Sequence, residues 1–217
     1  MVSRRVFGLA LAAISASVLT FGAVVATDRA DAAVASGAKA PAFSVVDANG
    51  NTRTLSEFAG KTVVLEWTNH ECPFVKKHYE TGNMQKLQKA ASAEDVVWLT
   101  VLSSAPGKQG HVSAAQAQEL TRTRNAAPSA VLFDPSGAMG RAYGAKTTPH
   151  MYVITAKGDV AYQGAIDDNP GRDQSTVAGA KNYVTAALAD VKAGRTPAVT
   201  ATQPYGCTIK YADPKAS

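Results

Sequence analysis

Trp67-Thr68-Asn69-His70-Glu71-Cys72-Pro73-Phe74-Val75-Lys76-Lys77-His78 joins a β-rich run to a helical one, and the junction falls at a cysteine. Upstream, Thr62-Val63-Val64-Leu65-Glu66-Trp67 reads as a central strand, because β-branched and apolar residues dominate it. Downstream, Pro73 to about Ala91 reads as a helix. Pro73 suits its first position, where a backbone N–H would have no intrahelical partner. Cys72 then stands where the unpaired amides of a helix start favour an anion, which lowers a thiol's pKa. Lys76, Lys77 and His78 add positive charge within a turn or two, with His70 close by, while the Glu71 carboxylate opposes them. The bland alternative is a small buried hydrophobe, a common state of free cysteine. The strand, Cys-Pro, helix setting favours the reactive thiol.

Working outward, the alternation of strand and helix continues. Phe43-Ser44-Val45-Val46-Asp47 and Asn51 to Leu55 flank Asn49-Gly50, a strong hairpin turn. Val96 to Leu102 is apolar except for Thr100 and reads as a strand buried on both faces. His111 to about Asn125 reads as a helix with Ser113 as N-cap. Ala130 to Asp134 is a strand, Pro135 to Tyr143 a short helix, and Met151 to Ile154 with Val160 to Gln163 a second hairpin around Lys157-Gly158-Asp159. Val177 to Lys192 is a helix ended by Gly194. Strands alternating with helices require a largely parallel sheet covered on both faces, to which hairpins add antiparallel strands. The expectation is an α/β fold: a central mixed β-sheet flanked by helices, with an N-terminal β-hairpin.

The composition is that of a globular chain: 217 residues, 46% hydrophobic and 18% charged, which excludes a disordered or low-complexity protein. Net charge is +5, yet no Lys/Arg run exceeds two, so no nucleic-acid partner is expected. Two cysteines exclude a disulfide-dense scaffold and a four-thiolate zinc site. Arg4-Arg5, an uncharged run from Val6 to Ala26, and Ala30-Asp31-Ala32 match a secretory signal, and Ser3-Arg4-Arg5-Val6-Phe7 resembles a twin-arginine motif. An uncleaved anchor is the alternative, since the run is just long enough to span a bilayer. The expected organisation is a signal peptide over 1–32, a linker over 33–40, a domain over 41–193 and a tail over 194–217 carrying Cys207. After cleavage no membrane association is expected. The mature chain would be periplasmic or secreted, where disulfides persist.

Thr147-Thr148-Pro149-His150 precedes the strand that begins at Met151. Proline there is either a plain strand-edge marker or a cis proline. A cis bond would turn the Thr148 backbone toward an incoming extended chain, which could bind as an added strand.

Taken together, Ala40-Pro41-x-Phe43, Asp47-x-x-Gly50, Leu55-x-x-Phe58-x-Gly60-Lys61, Val63-Val64-Leu65-x-Trp67, Cys72-Pro73 and Thr148-Pro149 resemble the thioredoxin-fold redoxins of the alkyl hydroperoxide reductase/thiol-specific antioxidant superfamily. More narrowly, the chain is similar to their peroxiredoxin-like exported branch, over about Ala38 to Lys192. The resemblance implies a thioredoxin-like fold, Cys72 as attacking thiol and Pro149 cis. Trp67, Asn69, His70, Pro73, Thr148, Pro149 and His150 are expected around the substrate. The departures are informative. Val75 stands where C-x-x-C reductases carry a second cysteine. Leu65 and Asn69 stand where typical peroxiredoxins carry a proline and the peroxide-orienting threonine, and no second-site arginine is identifiable.

Gln203-Pro204-Tyr205-Gly206-Cys207 is similar to a tail of the same exported branch. Cys207 either closes a static disulfide with Cys72 or resolves an oxidised Cys72 during turnover. The low-pKa position of Cys72 favours the cycling pair. The functional expectation is an exported thiol-dependent oxidoreductase without cofactor or resident metal. It would act in thiol–disulfide exchange or antioxidant peroxide reduction, with thiol or disulfide proteins or small thiols as redox partners. The alternative is a non-catalytic binding domain, or one delivering copper or zinc through Cys72, His70 and His150. Gly60-Lys61-Thr62 and Asp47-x-Asn49-x-Asn51 resemble phosphate and calcium loops only in part and read better as turns. Ser103 to Gly110 is a connector or a rim to the cleft, and Asp167-Asp168-Asn169-Pro170 a solvated loop or part of the site's lining.

Overall fold

Hydrophobic periodicity places the strands where the sequence suggests them. The computed structural model describes Met1 and residues 34–213. Apart from Met1, the expected signal over 1–32 lies outside the described residues. In chain order the elements are β1 (Ser44–Asp47), β2 (Thr52–Thr54), β3 (Val63–Trp67), α1 (Pro73–Glu80), α2 (Asn83–Ala93), β4 (Val97–Leu102), α3 (Ala114–Thr123), β5 (Ala130–Phe133) and α4 (Ala138–Tyr143). Then follow β6 (Thr147–Thr148), β7 (His150–Ile154), β8 (Val160–Gly164), α5 (Tyr183–Lys192) and β9 (Cys207–Thr208), with short 3-10 segments at Leu55–Phe58 and Gln174–Gly179.

Seven strands form one mixed sheet in the order β2-β1-β5-β4-β3-β7-β8. The β3–β4 and β4–β5 pairs are parallel, and β3–β7, β7–β8, β1–β2 and β1–β5 are antiparallel. Every residue of β3 and β4 is buried, as strands covered on both faces require. Their side chains alternate between two cores. Val63, Leu65 and Trp67 pack with Leu99, Val101, Tyr143, Tyr152 and Ile154 on one face. Val64, Trp98, Met151 and Val153 meet Val75, Met84, Val184 and Ala187 of α1, α2 and α5 on the other. Full burial of each large aliphatic side chain contributes about 1.5–3 kcal/mol.

Three local expectations change. The helix expected from Pro73 to Ala91 breaks into α1 and α2 at Thr81-Gly82. Gly82 adopts φ +72, a left-handed turn that glycine tolerates, while the Thr81 hydroxyl donates back to the Lys77 carbonyl at 2.8 Å. The helix expected from Val177 begins at Tyr183, because Asn182 caps it by accepting from the Thr185 amide at 2.9 Å. The helix expected from Pro135 begins at Ala138. Ser113 caps α3 as expected and forms a reciprocal box with Gln116. The Asp47-x-Asn49-x-Asn51 run is a turn, in which the Asp47 carboxylate accepts from the Asn49 and Asn51 amides at 2.8 and 2.9 Å. Among the described residues, no helix is long and apolar enough to cross a membrane.

The sequence pattern does not reveal a second, two-stranded sheet. In it β6 pairs antiparallel with β9, so that Thr147 faces Thr208 and Thr148 faces Cys207. This small sheet positions the candidate site.

Candidate active site

Cys72 is the N-cap of α1, with extended backbone (φ −69, ψ 124) and Pro73 at the first helical position. Its amide donates to the Asn69 carbonyl at 3.0 Å, while its own carbonyl accepts from the Val75 and Lys76 amides. The turn before it is braced twice. Asn69 Oδ1 accepts from the Glu71 amide at 2.9 Å, and the Glu71 carboxylate accepts from the Gly110 amide at 2.7 Å. Gly110 lies at φ +87 against the Asn69 side chain, where any Cβ would clash, so the 103–110 segment is packed on this turn. It also reaches the C-terminal segment, since the Ala105 amide donates to the Lys210 carbonyl at 2.8 Å.

The Cys72 sulfur is completely buried. Its thiol donates to the Thr148 carbonyl at 3.1 Å, and the Thr148-Pro149 bond is cis. Cys207 stands directly across from Thr148 in the β6–β9 ladder, and the Thr148 hydroxyl donates to the Cys207 carbonyl at 3.4 Å. Both cysteines are free thiols, with Cys207 half-buried. Gly206 adopts φ +129 and passes so close to the Thr148 carbonyl that a Cβ would clash with it. Glycine is therefore required for Cys207 to approach Cys72 along this strand.

Burial pushes the Cys72 thiol up. Hydrogen bonds from the Cys207 and Thr148 side chains and from the Val75 and Cys207 amides more than offset it, leaving Cys72 below the ordinary thiol range. Cys207 moves the other way, to about 11, through burial and its interaction with Cys72. The pair thus separates into an acidic buried thiol and a basic half-buried one. The cause differs from the cationic cluster expected from sequence. Lys77 is buried and donates to the Asn169 carbonyl at 2.8 Å. Burial lowers His78 to about 4, so it is neutral at physiological pH.

Of the residues expected around the substrate, Pro73, Thr148 and Pro149 gather at the two sulfurs. Asn69 braces the turn. His70 lines a small cavity with Thr68, Tyr79 and Arg124, and its backbone carbonyl accepts from Arg124 at 3.0 Å. Trp67 is a core residue, packed edge-on against Tyr152, with its indole N–H donated to Ser103 at 3.0 Å. His150 is buried against Tyr152, and Nδ1 accepts from the Lys146 amide at 3.2 Å. Burial lowers His150 to about 3. The Cys72, His70 and His150 trio considered for a metal is therefore split between separate environments. Among the described residues, no group of three or more His, Cys, Asp or Glu is placed to hold a metal ion.

The sequence reading missed a polar group that joins α1 to the segment carrying Cys207. Asn83 Nδ2 lies 2.9 Å from His78 Nδ1, and His78 Nε2 lies 3.1 Å from the Tyr205 hydroxyl. Tyr205 in turn donates to Asp167 at 2.5 Å. An amide donor at Nδ1 leaves the proton of neutral His78 on Nε2. Asp167 belongs to the 167–170 run that the sequence offers as lining or loop, whereas Tyr205, two residues before Cys207, carries no separate sequence signal.

The low pKa of His78 has a measurable consequence. Between about 6.5 and about 4 the unfolded histidine binds a proton that the folded one refuses. Stability must fall as pH falls through that window, with the loss complete below the folded value. Denaturant midpoints measured from pH 7 to pH 4 are expected to show this decline, to which His150 also contributes, and His78→Gln to make it shallower. An unchanged slope in the variant would assign the decline to other groups.

Comparison with known proteins adds the following. The family model described as Redoxin matches residues 35–183. No curated protein matches the chain. Among solved structures, a hypothetical protein from Sinorhizobium meliloti 1021 superposes with a TM-score of 0.70 at 21% identity, covering 83% of this chain and 97% of that one. An uncharacterized conserved protein from Geobacillus kaustophilus gives 0.69 at 21% identity, covering 84% and 94%. The exposed lipoprotein thioredoxin of Streptococcus pneumoniae strain TIGR4 is a looser match, with a TM-score of 0.46 at 25% identity over 64% of this chain and 96% of that one.

Proposed function

The chain belongs to the Redoxin family, and on that premise we propose that it is an exported thiol–disulfide oxidoreductase in which Cys72 attacks and Cys207 resolves. The observation that carries this reading is the register Thr148 to Cys207, with the Cys72 thiol 3.1 Å from the Thr148 carbonyl. It sets two thiols of opposite acidity against one strand edge. The Cys72 thiolate attacks a substrate disulfide, forming a mixed disulfide and releasing one substrate thiolate. The Cys207 thiol then passes its proton to the substrate thiolate already released and attacks the Cys72 sulfur. The second substrate thiolate leaves, and the two electrons have passed to the substrate. A thiol donor reverses the sequence and regenerates the reduced pair. Cys72, the more acidic thiol, is the better leaving group in that return step.

Disulfide exchange is favoured over peroxide reduction by what surrounds the sulfur. Its polar neighbours are the carbonyl and hydroxyl of Thr148 and the Cys207 thiol, and β9 already holds that strand edge, so an extended thiol-bearing chain binds there in place of Cys207-Thr208. Among the described residues, no arginine is a hydrogen-bond partner of Cys72, and the hydroxyl that is one belongs to Thr148, beside the cis proline. Export rests on Arg4-Arg5, the uncharged run after them and Ala30-Asp31-Ala32.

The test is to treat reduced protein with oxidised glutathione, quench with acid and map the cysteines by mass. One intramolecular Cys72–Cys207 disulfide is expected in the wild type. In Cys207→Ala, stable glutathione on Cys72 is expected. Recovery of both thiols unmodified in the wild type would sink the reading.

A further inference from the structure

We propose that Tyr205 is a positioning residue for the two sulfurs, clasping the strand that carries Cys207 to the helix that carries Cys72. The inference rests on the redox-pair reading above and adds a residue to it. Tyr205 lies two residues before Cys207. Its ring packs on Phe74, two residues after Cys72, with centroids 5.9 Å apart, and the Lys77 ammonium lies 5.7 Å from the ring centroid. Its hydroxyl reaches His78 of α1 at 3.1 Å and the buried Asp167 carboxylate at 2.5 Å. One side chain therefore bridges the two elements within a few residues of both sulfurs.

The hydrogen bonds run in one direction. Asn83 donates to His78 Nδ1, the Nε2 proton is donated to the Tyr205 oxygen, and the Tyr205 proton is donated to Asp167. Asp167 Oδ1 also accepts from the Asn169 amide at 3.1 Å. The Tyr205 hydroxyl thus has one donor, His78, and one acceptor, Asp167, whose other oxygen lies 3.9 Å from His78 Nε2.

The rest of the C-terminal segment is anchored without Tyr205. Upstream, the Thr202 amide donates to the Gln163 carbonyl, the Gln163 amide donates to the Thr200 carbonyl, and the Thr202 hydroxyl lies 2.6 Å from that of Tyr162. Downstream, the Ile209 amide donates to the Lys146 carbonyl at 3.0 Å and the Tyr211 hydroxyl to the Ala145 carbonyl at 2.8 Å. Between these anchors the β6–β9 ladder sets Cys207 opposite Thr148, and Tyr205 adds a side-chain tie from the segment to α1. Releasing it loosens the approach of Cys207 to Cys72 and leaves the segment attached.

The readout is the effective concentration of Cys207 toward Cys72, obtained by equilibrating protein with reduced and oxidised glutathione and quantifying the intramolecular disulfide. Tyr205→Phe keeps the ring and removes the clasping hydroxyl. It is expected to lower the effective concentration about tenfold, the scale of one hydrogen bond to a charged group, and to let glutathione accumulate on Cys72. Asp167→Asn keeps an acceptor for the hydroxyl and is expected to stay within about twofold of wild type, whereas Asp167→Ala should match Tyr205→Phe. Those two Asp167 variants carry the same comparison should Tyr205→Phe fold poorly. A Tyr205→Phe protein indistinguishable from wild type, or Asp167→Ala and Asp167→Asn behaving alike, overturns the clasp. Failure of the wild type itself to form the disulfide overturns the redox-pair reading instead.

Discussion

Replacing Cys72 with serine is expected to abolish reduction of disulfide substrates, by at least about a thousandfold relative to wild type. A serine hydroxyl is not ionised at neutral pH, so the hydrogen bonds around position 72 would have no anion to stabilise. The side chain is fully buried, and the smaller, harder oxygen can occupy the same space beside the Thr148 carbonyl. The fold should therefore survive, and the loss is chemical. Cys207→Ala behaves differently in the same assay, because it retains the attacking thiol. It forms the mixed disulfide and releases the first substrate thiolate, then stalls. Following thiol release from a protein disulfide under single-turnover conditions separates the two: no release for Cys72→Ser, half the wild-type release for Cys207→Ala. Turnover that persists in Cys72→Ser would mean that the reactive group lies elsewhere.

The largest effect on stability is expected at Glu66. This carboxylate sits in the middle of β3, wholly buried. It accepts from Tyr79 Oη at 2.9 Å, Trp98 Nε1 at 2.9 Å, Thr100 Oγ1 at 3.2 Å and Gln88 Nε2 at 3.3 Å. These donors come from α1, α2 and β4, so one side chain ties the helix that carries Cys72 to the sheet beneath it. Glu66→Ala strands the donors in a dry core and leaves a cavity. The expected loss is about 3–5 kcal/mol of unfolding free energy, measured from denaturant curves. Glu66→Gln keeps an acceptor and should lose less than half of that.

The same residue carries a pH signature. Burial raises the Glu66 pKa above the ordinary carboxylate value, against the four hydrogen bonds that favour its charged form. Between its unfolded and folded values the native state binds the extra proton. Its contribution is thus largest in acid and declines as pH rises through the folded value. Glu66→Gln removes that decline. Equal stability losses for Ala and Gln at every pH would show that the volume and the acceptor that Gln retains contribute nothing, and would overturn this account of the Glu66 hydrogen bonds.

Much of the framework was legible in the residues themselves. Apolar runs in β3 and β4 are a direct consequence of burial on both faces, and alternation along them divides the two cores. Pro73 marks the start of α1, Ser113 that of α3, and Asn49-Gly50 the first hairpin turn, because each answers a local demand of the backbone. Gly82 hides its effect. A glycine within a helical pattern is compatible with continuation or with a break, and here the left-handed turn ends α1. The acidity of Cys72 was anticipated from the helix start and nearby cations, yet its largest favourable contribution comes from Cys207, far away in the chain.

By itself the sequence determined the alternation of strands and helices, the place of Cys72 at a helix start and the turn chemistry around it. All of these depend on neighbours within a few residues. Only the tertiary structure decided that β9 lies beside β6, that Cys207 faces Thr148, and that His78, Asp167 and Tyr205 meet in one polar group. A two-residue strand has no period to read, and hydrogen bonds between distant segments leave no mark on local composition. Partners of that kind become visible when the chain has closed and burial forces each polar group to find its complement.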